Sequence, residues 1–271
     1  MTDGVLQTVL ETLADRDGLS GVRVDRVTIG VAAVLVELRR EDGGRSAGLA
    51  HRPSGTDDAV PDRDLGSLLD PIRHPGAGSG DGSIARAAAV ATINALSAPY
   101  AEWRAGDPMA LLAPSVDTVV TVGLFRPAFR KFDAVEVRVI ERETTGPVTA
   151  PENVAVRQFT PDGTEAAMDG ADVVFVTGST LVYGGLGVYL AAAPLSATLV
   201  VVGATASFLP EPIFDRGVDV VGGADVADPT RARAAVADGA CGTDLHDRGV
   251  RKVYSAADSS TDIDLPNHVR K

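Results

Sequence analysis

Three stretches of glycine and small residues follow apolar runs of the kind that build strands. They are Gly123–Pro127 in V-G-L-F-R-P, Gly178–Thr180 in V-T-G-S-T-L, and Gly203–Ser207 in V-V-G-A-T-A-S-F-L-P. In a doubly wound sheet, ligands bind beyond the carboxyl ends of strands, near a switch in strand order. The Ser179 and Thr180 hydroxyls, with the free N–H groups of a following helix, would suit a carboxylate, a phosphate or another anion. The alternative is that one of these hydroxyls simply caps the helix. Arg126 and Arg130, one turn apart on a helix, either clamp an anion together or are ordinary surface arginines. Of the histidines His51, His74, His246 and His268, the first ends a predicted strand and the second sits in a long loop, so both can face one cleft. Cys241 and His246 form C-x4-H, donors suited to a borderline metal but too few to close a tetrahedral site, and they read better as a small thiol and a surface imidazole. Asp57, Asp58, Asp62 and Asp64 lack the glycine and glutamate positions of a calcium loop and read as a solvated acidic loop. Asn94 interrupts an alanine-rich helix, which costs propensity, so its amide either orients a ligand or is buried and bonded to a neighbouring segment.

What is missing narrows the chemistry. No G-x-G-x-x-G follows a strand, no G-x-x-x-x-G-K-[ST] occurs, and no G-x-S-x-G marks an esterase nucleophile. Dinucleotide, P-loop and serine-hydrolase sites are therefore disfavoured, and no pair of residues has the spacing of a known acid/base dyad. The 271 residues carry 25 Lys+Arg against 37 Asp+Glu, a net charge of −12, which argues against nucleic acid as the main partner. No apolar run approaches the roughly 18 residues of a membrane span. The first residues, MTDGVLQTVLETLADRDG, are acidic and amphipathic, so no signal peptide is expected. A single cysteine excludes an internal disulfide and a cysteine-rich metal centre. The expected location is cytoplasmic. Lysine occurs only at positions 131, 252 and 271, against 22 arginines, and 27 Asp outnumber 10 Glu. Such a surface suits a salt-rich cytoplasm that screens its self-repulsion, hence a halophilic source, with an arginine-biased genome as the alternative.

The elements that must position these residues fall into two sets. Val5, Leu6, Val9, Leu10 and Leu13 share a helical face, and V-R-V-D-R-V-T-I-G, V-A-A-V-L-V-E-L-R-R and R-S-A-G-L-A-H-R read as an antiparallel meander turning at EDGG. Residues 52–82, rich in Pro, Gly and Asp, read as a long loop before a helix capped by Ser83. From Asp117 onward short β-branched runs alternate with helical stretches, and continuous apolar runs such as VVFV and LVVV fit a parallel sheet buried on both faces. The division is 1–105 for an α+β unit, 106–258 for a Rossmann-like α/β unit and 259–271 for a frayed polar tail, with a hinge near 99–116.

The order of segments is specific. An alanine-rich helix with A-x-I-N-A-L (Ala91 to Leu96) precedes V-G-L-F-R-P, then D-V-V-F-V-T-G-S-T-L-V, then V-V-V-G-A-T-A-S-F-L-P-E-P-I-F-D-R-G-V-D-V-V-G-G. Together these resemble the putative heavy-metal chelation family, a family of unknown function. The resemblance implies an N-terminal domain similar to the enolase N-terminal fold, followed by a Rossmann-like domain, with the site in the cleft between them. Carried across by position, that cleft is lined by Gly48 to Pro53, including His51 and Arg52, and by Asn94, Gly123 to Phe125, Thr177, Gly178, Ser179, Thr180 and Gly203 to Thr205. Tyr183 and Gly185 depart from the family's small or polar residue and its threonine, and Ala204 replaces a proline.

The resulting expectation is a protein that binds a metal ion, a metal complex or a small anionic ligand in the cleft. The cofactor would be a divalent transition metal, with His51 as a ligand and Arg126 near the anion. One alternative is a nucleotide- or S-adenosylmethionine-type enzyme in which Glu141 holds a ribose diol. Another is a non-catalytic assembly partner for a metal cofactor. Expected partners are a small molecule or metal complex, not nucleic acid or membrane, with homo-oligomerisation left open.

Overall fold

In the computed structural model, which describes residues 4–55, 64–75, 82–143, 146–257 and 263, helix α1 (Gly4–Asp15) buries the apolar face that its spacing predicts. Strands β1 (Val22–Ile29), β2 (Ala33–Arg40) and β3 (Arg45–His51) form an antiparallel sheet in that order. Helix α2 (Leu65–Arg73), capped by Asp64, lies within the segment read as loop, and α3 (Ile84–Ser97) begins at its Ser83 cap. Then follow β4 (Arg104–Ala105), β5 (Thr118–Val122), α4 (Arg126–Phe129), β6 (Glu136–Ile140), β7 (Ala155–Phe159), α5 (Thr164–Met168) and β8 (Val173–Thr177). The chain continues with α6 (Thr180–Tyr183), α7 (Leu186–Ala192), β9 (Thr198–Val202), α8 (Glu211–Phe214), β10 (Val220–Val226), α9 (Pro229–Ala237) and β11 (Val250–Ala256). Asp57, Asp58, Asp62, His268 and most of the tail lie outside the described residues.

The second sheet runs β4-β11-β10-β9-β8-β5-β6-β7. From β10 to β7 every pairing is parallel, while β11 runs antiparallel to both β10 and β4. Numbered from β5, the parallel strands have the Rossmann order 3-2-1-4-5-6, so the order reverses between β5 and β8. The central strands are buried on both faces, as their unbroken valine runs require.

Helix α3 joins the two sheets. All of its residues except Ala85 are buried, which suits a helix apolar on every side. It shares one continuous core with Val34, Val36 and Leu38 of the small sheet and Val120, Val174 and Val201 of the large one. The opposite face of the small sheet, with Ala33, Leu35, Ala47 and Leu49, packs on Ala232, Ala235 and Val236 of α9. Arg233 of α9 adds a bidentate ion pair to Glu37, which is 7 % exposed, at 2.9 and 3.1 Å. The small sheet is thus held between α3 and α9. β4 pairs with β11 and so sits on the edge of the large sheet. In the tail, Ile263 is buried and bridges Leu112 rather than fraying. Among the described residues, no helix is long and apolar enough to cross a membrane.

Candidate functional site

The crevice opens where the strand order reverses, and glycines shape its rim. Gly123 leaves β5 at φ +100°, where a Cβ would come within 3.1 Å of the Thr177 methyl carbon. Its N–H donates to the Ile140 carbonyl at 2.9 Å, which directs the following residues over the end of β6. There the Leu124 N–H donates to Oε1 of Glu141 at 2.7 Å, and Oε2 accepts from the Arg142 N–H at 3.2 Å. Glu141 therefore braces the two strand ends.

Beyond β8, the hydroxyls of Thr177 and Ser179 lie 3.1 Å apart, and Thr180 Oγ1 donates back to the Thr177 carbonyl at 2.7 Å. The helix expected to continue from here breaks at once. Gly184 (φ +81°) and Gly185 (φ +94°) divide it into α6, a single turn, and α7. The expected helix N-terminus is thus too short to act as an anion site by itself. The break does place Tyr183 and Tyr189 on the crevice.

The small sheet closes the other side. His51 ends β3; its N–H donates to Thr205 Oγ1 at 2.9 Å, and its Nε2 lies 3.1 Å from the Tyr183 hydroxyl. The guanidinium carbon of Arg142 stands 3.7 Å over the Tyr183 ring. Burial, and after it the Arg142 charge, lowers the pKa of His51, so its ring is neutral near pH 7. Burial raises the Tyr189 phenol. These groups surround a cavity of about 520 Å³.

Of the residues singled out in sequence, His51, Gly123, Phe125, Thr177, Ser179, Thr180, Gly203 and Thr205 line this cavity. Five others do not. Gly48 lies under α3, where a Cβ would stand 2.3 Å from the Ala91 oxygen and the Ala95 nitrogen. Gly178 packs against Ala206, 2.9 Å from its nitrogen on the same test. Arg52 turns back to donate to the Gly30 carbonyl at 2.9 Å. Arg126 and Arg130 stand exposed at the two ends of the single turn α4, and neither lines the cavity. Asn94, 1 % exposed, uses Nδ2 to hold the Leu49, Thr205 and Ala204 carbonyls at 2.7, 3.0 and 3.3 Å. Its role is to tie β3 and the β9 loop together.

His74 is exposed at the end of α2. Cys241 lines the cavity whereas His246 lines a neighbouring chamber, so the C-x4-H pair divides between two places. Sequence reasoning passed over Arg142, although it follows a predicted strand end, and over Tyr189, and it marked Tyr183 only as a departure from the family; the helix break brings both tyrosines into place. Among the described residues, no group of three or more His, Cys, Asp or Glu side chains is arranged to hold a metal ion.

The family model described as putative heavy-metal chelation, DUF364, matches residues 107–255, more than half of the chain. The chain belongs to this family. Two solved DUF364 structures, both of proteins of unknown function, resemble it. The one from Pyrococcus horikoshii is 18% identical with a TM-score of 0.73, covering 94% of this chain and 99% of its own. The one from Desulfitobacterium hafniense is 15% identical with a TM-score of 0.63, covering 93% and 99%. No curated protein matches. The DUF364 match takes in the β5, β6, β8 and β9 loops of the cavity and leaves His51 outside it.

Proposed function

We propose that the cavity at the strand-order switch binds a small anionic organic molecule of the chelator class, free or carrying a metal. The observation that supports this reading is Arg142. Its guanidinium lines the cavity, stacked on Tyr183, and makes no hydrogen bond or ion pair with any described residue. A planar guanidinium presents a fork of donors that matches a carboxylate in bidentate geometry. The neutral His51 ring and the Thr177, Ser179 and Tyr189 hydroxyls add hydrogen-bonding capacity without adding charge. A bare heavy-metal ion fits this wall poorly. His51, Cys241 and Glu141 line it, yet they do not converge as a ligand set, and Glu141 is already bonded to two N–H groups. A metal handled here would arrive with most of its own donors.

The nucleotide reading has less support. The β5 loop carries Leu124 and Phe125 where a pyrophosphate cradle needs close backbone approach, and the second residue of α4, Pro127, has no N–H to offer. The test is a thermal-shift panel of citrate, nickel citrate, NiCl2, ATP and S-adenosylmethionine on the native chain and on Arg142→Gln. Stabilisation by citrate or its chelate that vanishes in the variant is expected. Stabilisation by NiCl2 alone, or by ATP, equal in both proteins, would overturn the reading.

A further inference from the structure

A second chamber, of about 300 Å³, lies beside the first and shares Leu124, Phe125, Gly203, Ala204, Gly242 and Leu245 with it. Pro108, Met109, Ala128, Val202, Val250 and Val253 make most of its wall apolar. One end is charged. Lys131, just beyond α4, and Lys252 of β11 both donate to Oδ2 of Asp107, Lys252 at 2.6 Å, while Oδ1 accepts from the Met109 N–H at 3.2 Å. Burial pushes the Asp107 carboxyl up, but the two ammonium groups outweigh it and hold the carboxyl below its usual range. Among the described residues Asp107 is the one acidic side chain on the chamber wall, so two ammonium groups against one carboxylate leave a single positive charge.

His246 lines the same chamber. Its Nδ1 is buried with no hydrogen-bond partner among the described residues, which is costly unless something supplies one. Burial, and then the Lys252 charge, lowers the pKa of the ring, so it is neutral near pH 7 and adds no charge to the chamber. The choice of cation is also informative. The chain has three lysines against 22 arginines, and two of the three meet at this carboxylate. An ammonium holds Asp107 with one N–H and can turn another towards a ligand, whereas a guanidinium fork would be committed to the carboxylate it pairs with.

We propose that this chamber is a second binding site, for a small hydrophobic monocarboxylate. Its acid group sits on the Lys131–Lys252 pair, and its apolar body lies against Pro108, Met109 and Val253. The proposal is independent of the reading of the first cavity. A purely structural ion triad would tie the same three segments together, but it would gain nothing from an added anion.

The test is calorimetric titration of the full chain at pH 7 with benzoate, 4-phenylbutyrate and octanoate, each beside its matched alcohol. At least one acid binds one equivalent and outcompetes its alcohol by about tenfold or more, the worth of one charged hydrogen bond. Lys131→Met and Lys252→Met each weaken that acid by about tenfold, and Arg130→Gln, on the exposed surface nearby, leaves it unchanged. Asp107→Asn frees both lysines and tightens the acid. The proposal is overturned if none of the three acids binds, if acid and alcohol bind alike, or if Asp107→Asn weakens binding as the lysine variants do. It is overturned too if only Arg142→Gln abolishes binding, which would put the acid in the first cavity. The acid-against-alcohol comparison uses the native chain and stands even where a variant fails to fold.

Discussion

Replacing Asn94 tests how the two sheets are held together. Its Nδ2 serves three carbonyls on two separate segments, from a side chain that is 1 % exposed. Two N–H groups in net hydrogen bonds of about 1 kcal/mol each give about 2 kcal/mol, and the carbonyls left without a donor add about 1 kcal/mol more. Alanine returns about 0.5 kcal/mol of helix propensity. Asn94→Ala should therefore cost about 2–3 kcal/mol, lowering the midpoint of thermal unfolding by about 4–5 °C for a chain of this size. Asn94→Asp changes almost no volume but turns a carboxylate towards the three carbonyls, so its loss at pH 7 should exceed that of alanine. That carboxyl is favoured protonated in the folded chain, because only the protonated form can donate, so its folded pKa lies above its unfolded value. The variant then recovers stability relative to the native chain as pH falls, and loses it as pH rises through the folded pKa. Circular-dichroism melts of the three proteins at pH 5 and pH 7 measure both effects. An alanine variant that melts with the native chain, or an aspartate variant no worse than alanine at pH 7, would refute the assignment.

Gly48→Ala places a Cβ 2.3 Å from two backbone atoms of α3, with no flexible side chain to yield, so it should cost about 3 kcal/mol in urea unfolding, the upper end for overpacking. His51 and His246 both have pKa values below the ordinary 6.5, so the unfolded chain binds more protons in the window below that value. The melting temperature should fall as pH drops through that window, and His51→Gln should flatten the slope. A net charge of −12 predicts that unfolding midpoints rise between low and molar KCl, and a flat response would remove the case for a salt-adapted surface.

Much of the architecture was legible because periodicity and burial agree. The buried face of α1, the valine runs of β5, β8 and β9, and the Ser83 cap of α3 all follow from local patterns. β7 was not legible, since AVRQF is a largely exposed edge strand with no apolar run to mark it. The break at Gly184–Gly185 was obscured by the apolar residues on both sides of it, although two adjacent glycines were its signal. The strand-end rule located the crevice, but it could not separate residues that face the cavity from those that pack behind it. Gly48, Gly178 and Asn94 lie close to the site because two backbones meet there, and that is a tertiary fact. The stacking of Arg142 on Tyr183 joins segments 41 residues apart, beyond the reach of any spacing argument.

The most direct test of the account is calorimetric titration of nickel citrate, with NiCl2 as its counterpart, into the native chain and into Arg142→Gln. Nickel citrate should bind the native chain more tightly than NiCl2 does, and the variant should lose about 10- to 100-fold of this affinity, the worth of a charge-assisted pair. Tight one-to-one binding of NiCl2 alone, unchanged by Arg142→Gln, would contradict it.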